Sequence, residues 1–146
     1  MLVGRFGATT GAPYVEGRVV IPEWSVGGKV SFLLDTGADE SALMPPDSLK
    51  MGIRLDEIGN DGTKTIGGIG GEAEFYQVKS FVIFADEEAL YLYSILLDIA
   101  LDPAKFPSLL GRDILDHWDL RYCKPRNRLT AEVMSCTRTL RTSAGS

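Results

Sequence analysis

The segment Ser31-Phe32-Leu33-Leu34-Asp35-Thr36-Gly37-Ala38-Asp39-Glu40 decides how the rest of this sequence is interpreted. Its first four residues favour a strand, and that strand ends in a carboxylate, a hydroxyl and a glycine. Because an unpaired buried carboxylate is costly, Asp35 needs hydrogen-bond partners at the strand end. Gly37 stands where a tight turn requires backbone freedom or close approach. The triplet therefore predicts either a polar turn between two strands or a catalytic carboxylate held on a tight loop.

Two downstream segments favour the catalytic interpretation. The first is a glycine-rich hairpin, Ile66-Gly67-Gly68-Ile69-Gly70-Gly71, and the second is Leu109-Leu110-Gly111 followed by Arg112-Asp113. Together with Asp35-Thr36-Gly37, and in this order, they resemble the retropepsin family, the aspartic proteases of retroviruses and their cellular relatives. The resemblance extends from about residue 29 to residue 122, which is most of the chain.

The resemblance implies an all-β fold: a closed β-barrel or sandwich with a glycine-rich flap hairpin and one short C-terminal helix, assembled as an obligate homodimer. Alternation predicts strands at residues 14–21, 29–34, 78–84 and 90–97, a hairpin arm at 63–66 that returns at 72–76, and a final hairpin of 119–122 with 128–133. Residues 22–28 predict a turn or loop, 45–52 a single helical turn, and the acidic residues 86–88 a solvated turn. We expect residues 1–13 to form a loose arm or an edge strand, residues 14–134 a protease domain, and residues 135–146 a C-terminal tail.

Hydrolysis of an amide by carboxylates requires one group that accepts a proton from water and another that holds a proton. Two close carboxyl groups share one proton because they cannot both ionise easily. This chain contains one Asp-Thr-Gly triplet, so the second Asp35 must come from a second copy on a two-fold axis. The resemblance implies that the Thr36 hydroxyl forms a hydrogen bond across this axis; the alternative is a simple turn hydroxyl. It also implies that the Gly37 backbone contacts the carboxylates and the substrate.

The remaining site residues are implied by the same resemblance. Leu110 and Gly111 would pass beneath the catalytic loop, and Arg112 would pair with Asp39 and brace the dimer. The alternative is that Arg112 and Asp39 form an exposed ion pair that contributes little stability. Side-chain pockets for an extended peptide would be lined by Leu33, Ala38, Ile66, Ile69 and Leu109, with Asp39 and Glu40 meeting the substrate backbone or its outer residues. Much of the dimer interface is expected from residues 119–133.

The glycine-rich hairpin is interpreted as a mobile flap that closes over the substrate and expels water. A flexible linker is the first alternative, but strand-like residues flank the glycines. A phosphate-binding loop is the second, but Lys64-Thr65 precedes the glycines and the Gly-Lys order is missing. Glu72 departs from the apolar residue frequent in retroviral enzymes, which leaves the specificity at the flap edge open.

Composition excludes several other functions. The 146 residues carry a net charge of −5, with 45% hydrophobic and 24% charged residues. This is typical of one soluble domain, and it argues against a nucleic-acid partner. The sequence contains neither an apolar run of membrane-spanning length nor a signal-peptide pattern, so a cytoplasmic location is predicted.

Cysteine and histidine are too sparse for a zinc site, so no cofactor or metal is expected. Cys123 and Cys136 are interpreted as free thiols of a reducing compartment, since the natural register of the last hairpin does not place them opposite each other. A cation site formed by Asp35, Asp39 and Glu40 is a further alternative, although it lacks the regular oxygen spacing of known loops. A non-catalytic member of the same fold, which binds peptides or only dimerises, also remains open.

Overall fold

A computed structural model describes residues 1–58, 63–68, 71–102 and 106–142, with the backbone alone at 63–68 and 71–73. The strands are β1 (Leu2–Val3), β2 (Arg5–Phe6), β3 (Pro13–Ile21), β4 (Val26–Leu34), β5 (Ala42–Leu43), β6 (Thr63–Gly68), β7 (Gly71–Ala85), β8 (Ala89–Ala100), β9 (Leu109–Leu110), β10 (Trp118–Cys123), β11 (Arg128–Val133) and β12 (Arg138–Arg141). The helices are α1 (Pro45–Lys50) and α2 (Arg112–Leu115), with 3-10 turns at Pro22–Trp24 and Leu55–Glu57.

Six of these strands close into a barrel. Antiparallel pairing joins β3 to β4, β9 to β5, β8 to β7 and β7 to β3. Parallel pairing joins β4 to β9 and β5 to β8. The order β3-β4-β9-β5-β8-β7 therefore returns to β3. The predicted all-β fold with a closed barrel and a short helix near the C-terminal end is confirmed.

Two strands are longer than predicted. Residues 72–76 and 78–84 were expected as separate segments, but both belong to β7, which pairs with β6 from Gly71 to Tyr76 and with β8 from Phe75 to Ala85. One strand thus extends from the hairpin into the barrel wall. The expected loop at residues 22–28 is also partly wrong, because β4 begins at Val26 and pairs there with Ile21.

The barrel interior is filled by aromatic and branched side chains. Phe84 is fully buried and its ring lies 6.3 Å from the ring of Phe32, 6.0 Å from Tyr93 and 5.0 Å from Trp118. The Trp118 and Tyr93 rings meet Phe84 edge to face, the geometry that aromatic pairs prefer. Trp118 opens β10, so this cluster fixes the start of the last hairpin to the barrel.

A separate sheet with the strand order β1-β11-β10 covers part of the barrel. Leu2 of β1 is only 2% exposed, and β2 pairs with β3. At the other end of the chain, β12 pairs with β8. Parts of the predicted arm and tail are therefore paired with the barrel, while the domain boundaries at residues 13 and 134 stay predictions. Cys123 and Cys136 are free thiols.

The acidic turn between β7 and β8 is not simply solvated as expected, because the Asp86 side chain is 4% exposed. Burial alone would raise the pKa of Asp86. Hydrogen bonds from the Met1 ammonium, the Tyr91 hydroxyl and the backbone N–H of Glu88 and Ala89 outweigh burial and hold that pKa well below its usual range. Asp86 thus ties the first residue of the chain to the β7–β8 turn.

Candidate active site

Asp35 directly follows β4, at the point where β4 lies beside β9. The Leu33 N–H donates to the Ser108 carbonyl at 2.8 Å, and the Asp35 N–H donates to the Leu110 carbonyl at 2.9 Å. These parallel-strand bonds end where β9 ends. The backbone of Asp35 is therefore fixed, while its half-buried side chain points out of the strand end.

The two carboxylate oxygens of Asp35 have different surroundings. Oδ1 accepts the Gly37 N–H at 3.0 Å, within a turn closed by the Ala38 N–H bonding to the Asp35 carbonyl at 3.2 Å. Oδ2 accepts no hydrogen bond from the residues that the structure describes. One oxygen is thus oriented by backbone and the other is available to water or to a second carboxyl group, as general acid–base chemistry requires.

Gly111 lies directly against the loop of residues 36–40, which follows Asp35. A Cβ atom on Gly111 would come within 2.6 Å of the carbonyl carbon and oxygen of Glu40 and within 3.0 Å of the Ala38 carbonyl oxygen. The next residue, Arg112, donates its N–H to that Ala38 oxygen at 2.8 Å. The close backbone crossing expected beneath the loop is present, and only glycine fits it.

Arg112 also holds the loop through its side chain. Its Nη1 donates to the Thr36 carbonyl at 3.1 Å, and its Nη2 forms an ion pair with Asp39. The two side chains are 44% and 84% exposed, so the ion pair itself adds little stability. The Thr36 side chain is exposed, and its hydroxyl bonds to none of the described residues.

Sequence reasoning missed the strongest contact that clamps this loop. Asp113 accepts the Ser41 N–H at 2.9 Å and the Ser41 hydroxyl at 2.7 Å, while that hydroxyl accepts the Gly111 N–H at 3.0 Å. The Asp113 N–H also donates to the Asp39 carbonyl at 3.2 Å. Ser41 is fully buried. No signal in the sequence marks this pair, because its two residues lie 72 positions apart.

Ser108 is a second missed residue. It is fully buried, and its hydroxyl accepts the Met44 N–H at 2.9 Å and donates to Asp47 at 2.6 Å. Because its carbonyl also holds Leu33, Ser108 links α1 to β4 just before Asp35. No periodicity in the sequence marks this position.

The predicted substrate-binding residues are partly brought together. Leu33 and Leu109 are paired neighbours on β4 and β9, both half-buried, and Ala38 is half-buried in the loop. Glu40 points to the start of the barrel wall, where Gln77 Nε2 donates to Glu40 at 3.1 Å and to Asp98 at 3.0 Å. Leu33 and Leu109 thus form an apolar surface next to Asp35, and Glu40 is held at the barrel wall by Gln77.

The predicted flap corresponds to the hairpin of β6 and β7. Ile66 pairs with Ala73, Gly67 with Glu72 and Gly68 with Gly71. Ile69 and Gly70 lie outside the described residues. The backbone pairing agrees with the predicted hairpin arm, and the role of these residues as a flap stays a prediction.

Two searches of the described part of the chain gave negative results. No three His, Cys, Asp or Glu side chains lie close enough together to hold a metal ion. No helix is both long and apolar enough to cross a bilayer.

Comparisons with known proteins agree with this fold. A sequence model of the retroviral aspartyl protease family matches residues 13–122, and no curated protein matches the chain. The fold is similar to the crystal structure of a retropepsin-like aspartic protease from Rickettsia conorii, with a TM-score of 0.59 and 20% identity over 88% of this chain and 97% of that chain. It is also similar to EIAV protease complexed with the inhibitor HBY-793, with a TM-score of 0.50 and 23% identity over 75% of this chain and 90% of that chain.

Proposed function

Because the chain belongs to the retroviral aspartyl protease family, we propose that it is a homodimeric aspartic endopeptidase that cleaves extended polypeptides. The observation that carries this proposal is the asymmetric environment of the Asp35 carboxylate. Gly37 orients one oxygen, and the other has no hydrogen-bond donor among the described residues.

The second catalytic carboxyl group is Asp35 of the partner subunit. Two carboxyl groups around one water share a proton, so that one accepts a proton from water while the other protonates the carbonyl oxygen of the scissile bond. The exposed Thr36 hydroxyl, which has no partner in the described part of its own chain, is free to bond to the partner loop. Because the pair needs one proton, the pH optimum is expected on the acid side of neutrality.

The substrate binds as an added strand between the catalytic loop and the β6–β7 hairpin. Leu33 and Leu109 offer an apolar surface beside Asp35, which favours apolar side chains near the scissile bond. Gly67 and Gly68 give the hairpin the backbone freedom for closure over the peptide. Leu110, Gly111 and Arg112 support the loop from below. Leu110 accepts the Asp35 N–H, Gly111 crosses Glu40 closely, and Arg112 donates to the Ala38 and Thr36 carbonyls.

The Asp35→Asn variant tests the proposal, because it keeps the size of the side chain and removes its charge. Cleavage of an extended apolar peptide should fall roughly 10³-fold or more. The matched control is Asp116→Asn, the same change at an exposed position after α2, and it should cleave like the parent. Activity per chain should also fall on dilution, because half-sites are inert.

Two results would contradict this function. An Asp35→Asn variant that cleaves as fast as the control would remove the catalytic role of Asp35. A parent dimer that binds a statine-type transition-state mimic no more tightly than the variant, and cleaves no peptide, would indicate a non-catalytic binding or dimerisation module.

A further inference from the structure

A row of paired residues crosses the outer face of the barrel from the candidate active site to the strand β2. Leu109 pairs with Leu33, and Leu33 pairs with Tyr14. Tyr14 in turn pairs with Arg5, and paired residues of neighbouring strands lie on the same side of a sheet. We propose that this row extends the substrate cleft and that Arg5 selects an acidic residue, Asp or Glu, in the outer part of the substrate.

The side chain of Arg5 reaches across the sheet. Its Nη2 donates to the Ser31 hydroxyl at 2.8 Å, and its guanidinium carbon lies 5.0 Å from the centre of the Tyr14 ring, a favourable position for a cation. Arg5 belongs to β2 and Ser31 to β4, with β3 between these two strands. The guanidinium therefore crosses over β3 and ends at the strand that carries Leu33 and leads to Asp35.

A surface groove of about 450 Å³ opens beside the guanidinium. Its walls include the turn of residues 7–10, Tyr14, Ser31 and residues 106–107. The next residue along the chain is Ser108, whose carbonyl accepts the Leu33 N–H at 2.8 Å. The groove therefore adjoins the apolar surface of Leu33 and Leu109, and one peptide can occupy both.

The positive charge of Arg5 is not neutralised within the described part of the chain. Two carboxylates lie nearby, because Glu16 is directly opposite Ser31 in the register and Asp47 lines the same groove. Neither forms an ion pair with Arg5, and Asp47 instead accepts the Ser108 hydroxyl at 2.6 Å. Among the described residues, Arg5 donates only to Ser31, so its guanidinium keeps N–H groups for a carboxylate.

The spacing along β4 matches the spacing of an extended peptide. In an extended chain, side chains two residues apart point to the same side and lie about 6.6 Å apart. Leu33 and Ser31 have this relation in β4, and Ser31 is farther from Asp35 along the strand. A peptide that places one side chain against Leu33 and continues outward therefore brings the side chain two residues on to Ser31 and the guanidinium.

The position of the acidic residue follows from the proposed dimer, and in this respect the inference rests on the proposed function. The two residues that flank the scissile bond lie on the surfaces of Leu33 and Leu109 in the two subunits. The acidic residues are then the third residue on either side of the bond. An arginine–carboxylate pair is charge-assisted and forms two parallel hydrogen bonds, which distinguishes Glu and Asp from their amides.

Cleavage of three matched fluorogenic peptides by the full chain tests the role of Arg5. The peptides differ only in the third residue on both sides of the scissile bond, which is Glu, Gln or Lys. The parent should show a kcat/KM about 10-fold higher for the Glu peptide than for the Gln peptide. Arg5→Gln should cleave these two peptides at equal kcat/KM, and Arg5→Glu should prefer the Lys peptide. Arg18→Gln is the matched control, because Arg18 lies on the same side of β3 but farther from Leu33, and it should keep the preference of the parent.

Peptide binding provides a readout that does not depend on cleavage. In the Asp35→Asn variant, the anisotropy of labelled peptides should give a dissociation constant about 10-fold lower for the Glu peptide than for the Gln peptide. Addition of Arg5→Gln to this variant should remove the difference.

The outcomes separate this inference from the proposed function. A parent that cleaves the Glu and Gln peptides equally, or equal losses of preference in Arg5→Gln and Arg18→Gln, would overturn the role of Arg5 while the protease assignment stands. If no peptide is cleaved, the protease assignment fails and binding decides about Arg5. A Glu preference in binding that Arg5→Gln removes would then support this role, and binding without that preference, or no binding, would refute it.

Discussion

Substitution of Gly111 by alanine is the sharpest test of how the catalytic loop is supported. The added Cβ would lie 2.6 Å from the carbonyl carbon and oxygen of Glu40 and 3.0 Å from the Ala38 oxygen. Real Cβ atoms essentially never approach another heavy atom closer than 3.0 Å, so one of the two crossing backbones must move by at least the difference of about 0.4 Å. All of the obstructing atoms belong to backbone, so a rotamer change cannot relieve the contact.

The expected loss of stability is therefore near the upper end for an overpacked site, about 2–3 kcal/mol. The displaced segment carries Asp35 at its start. Misplacing reacting groups by about 1 Å costs on the order of 100-fold in rate, so a shift of this smaller size should lower kcat/KM roughly 10-fold. The KM should change less than kcat, because the loop below the carboxylates moves and the apolar surface of Leu33 and Leu109 does not.

Gly28→Ala is the matched control, since Gly28 lies in β4 and an added Cβ there would meet only the Met51 side chain, at 3.0 Å. A flexible methionine can move aside, so this variant should stay within about 1 kcal/mol of the parent. Urea unfolding gives both stabilities, and cleavage of a fluorogenic peptide gives the rates. If Gly111→Ala matched Gly28→Ala in both measurements, the crossing would not be what holds the loop.

Two further predictions concern buried polar contacts. Ser41→Ala leaves the Gly111 N–H and one oxygen of Asp113 without their partner, so the free energy of unfolding should fall by about 2–4 kcal/mol. An unchanged urea midpoint would show that the contacts of Ser41 with Asp113 and Gly111 do not stabilise the fold. Asp86 has a lowered pKa in the folded protein, so its contribution is present above its usual pKa of 3.8 and is lost as the pH falls toward the folded value. Stability measured from pH 6 to pH 2 should therefore fall more steeply in the parent than in Asp86→Asn, and parallel curves would contradict this.

The sequence indicated the strand that delivers Asp35 and the last hairpin because their signals are local, whereas the closed barrel was implied by the family resemblance. The strand that delivers Asp35 is a short apolar run that ends at a charge, and the hairpin around residues 124–127 is bounded by turn residues on the expected pattern. The boundary between the two halves of β7 was wrong for the opposite reason. Gln77 interrupts the apolar alternation, yet its backbone continues the ladder to Asp98 while its side chain bonds to Glu40 and Asp98.

Contacts between residues far apart in the sequence could not be predicted. Ser41 and Asp113 are ordinary polar residues in sequence, and their bond exists only because β9 passes between β4 and β5 and delivers α2 to the catalytic loop. The same holds for Asp86. Its acidic neighbours predicted a solvated turn, but its ammonium partner lies at residue 1, far away in the sequence. A pattern of residue types contains no information on which buried carboxylate finds which donor.

The way the loop is held fits the proposal that one chain supplies half of a catalytic site. Backbone bonds fix Asp35 to β9, the N–H groups of Arg112 and Asp113 hold the carbonyls of Ala38 and Asp39, and the Asp113 carboxylate closes the far end at Ser41. Among the described residues, the loop leaves one carboxylate oxygen and one hydroxyl without hydrogen bonds, on Asp35 and Thr36. In the proposed dimer, an identical loop would supply the missing hydrogen bonds, since a two-fold axis turns the same two groups toward each other.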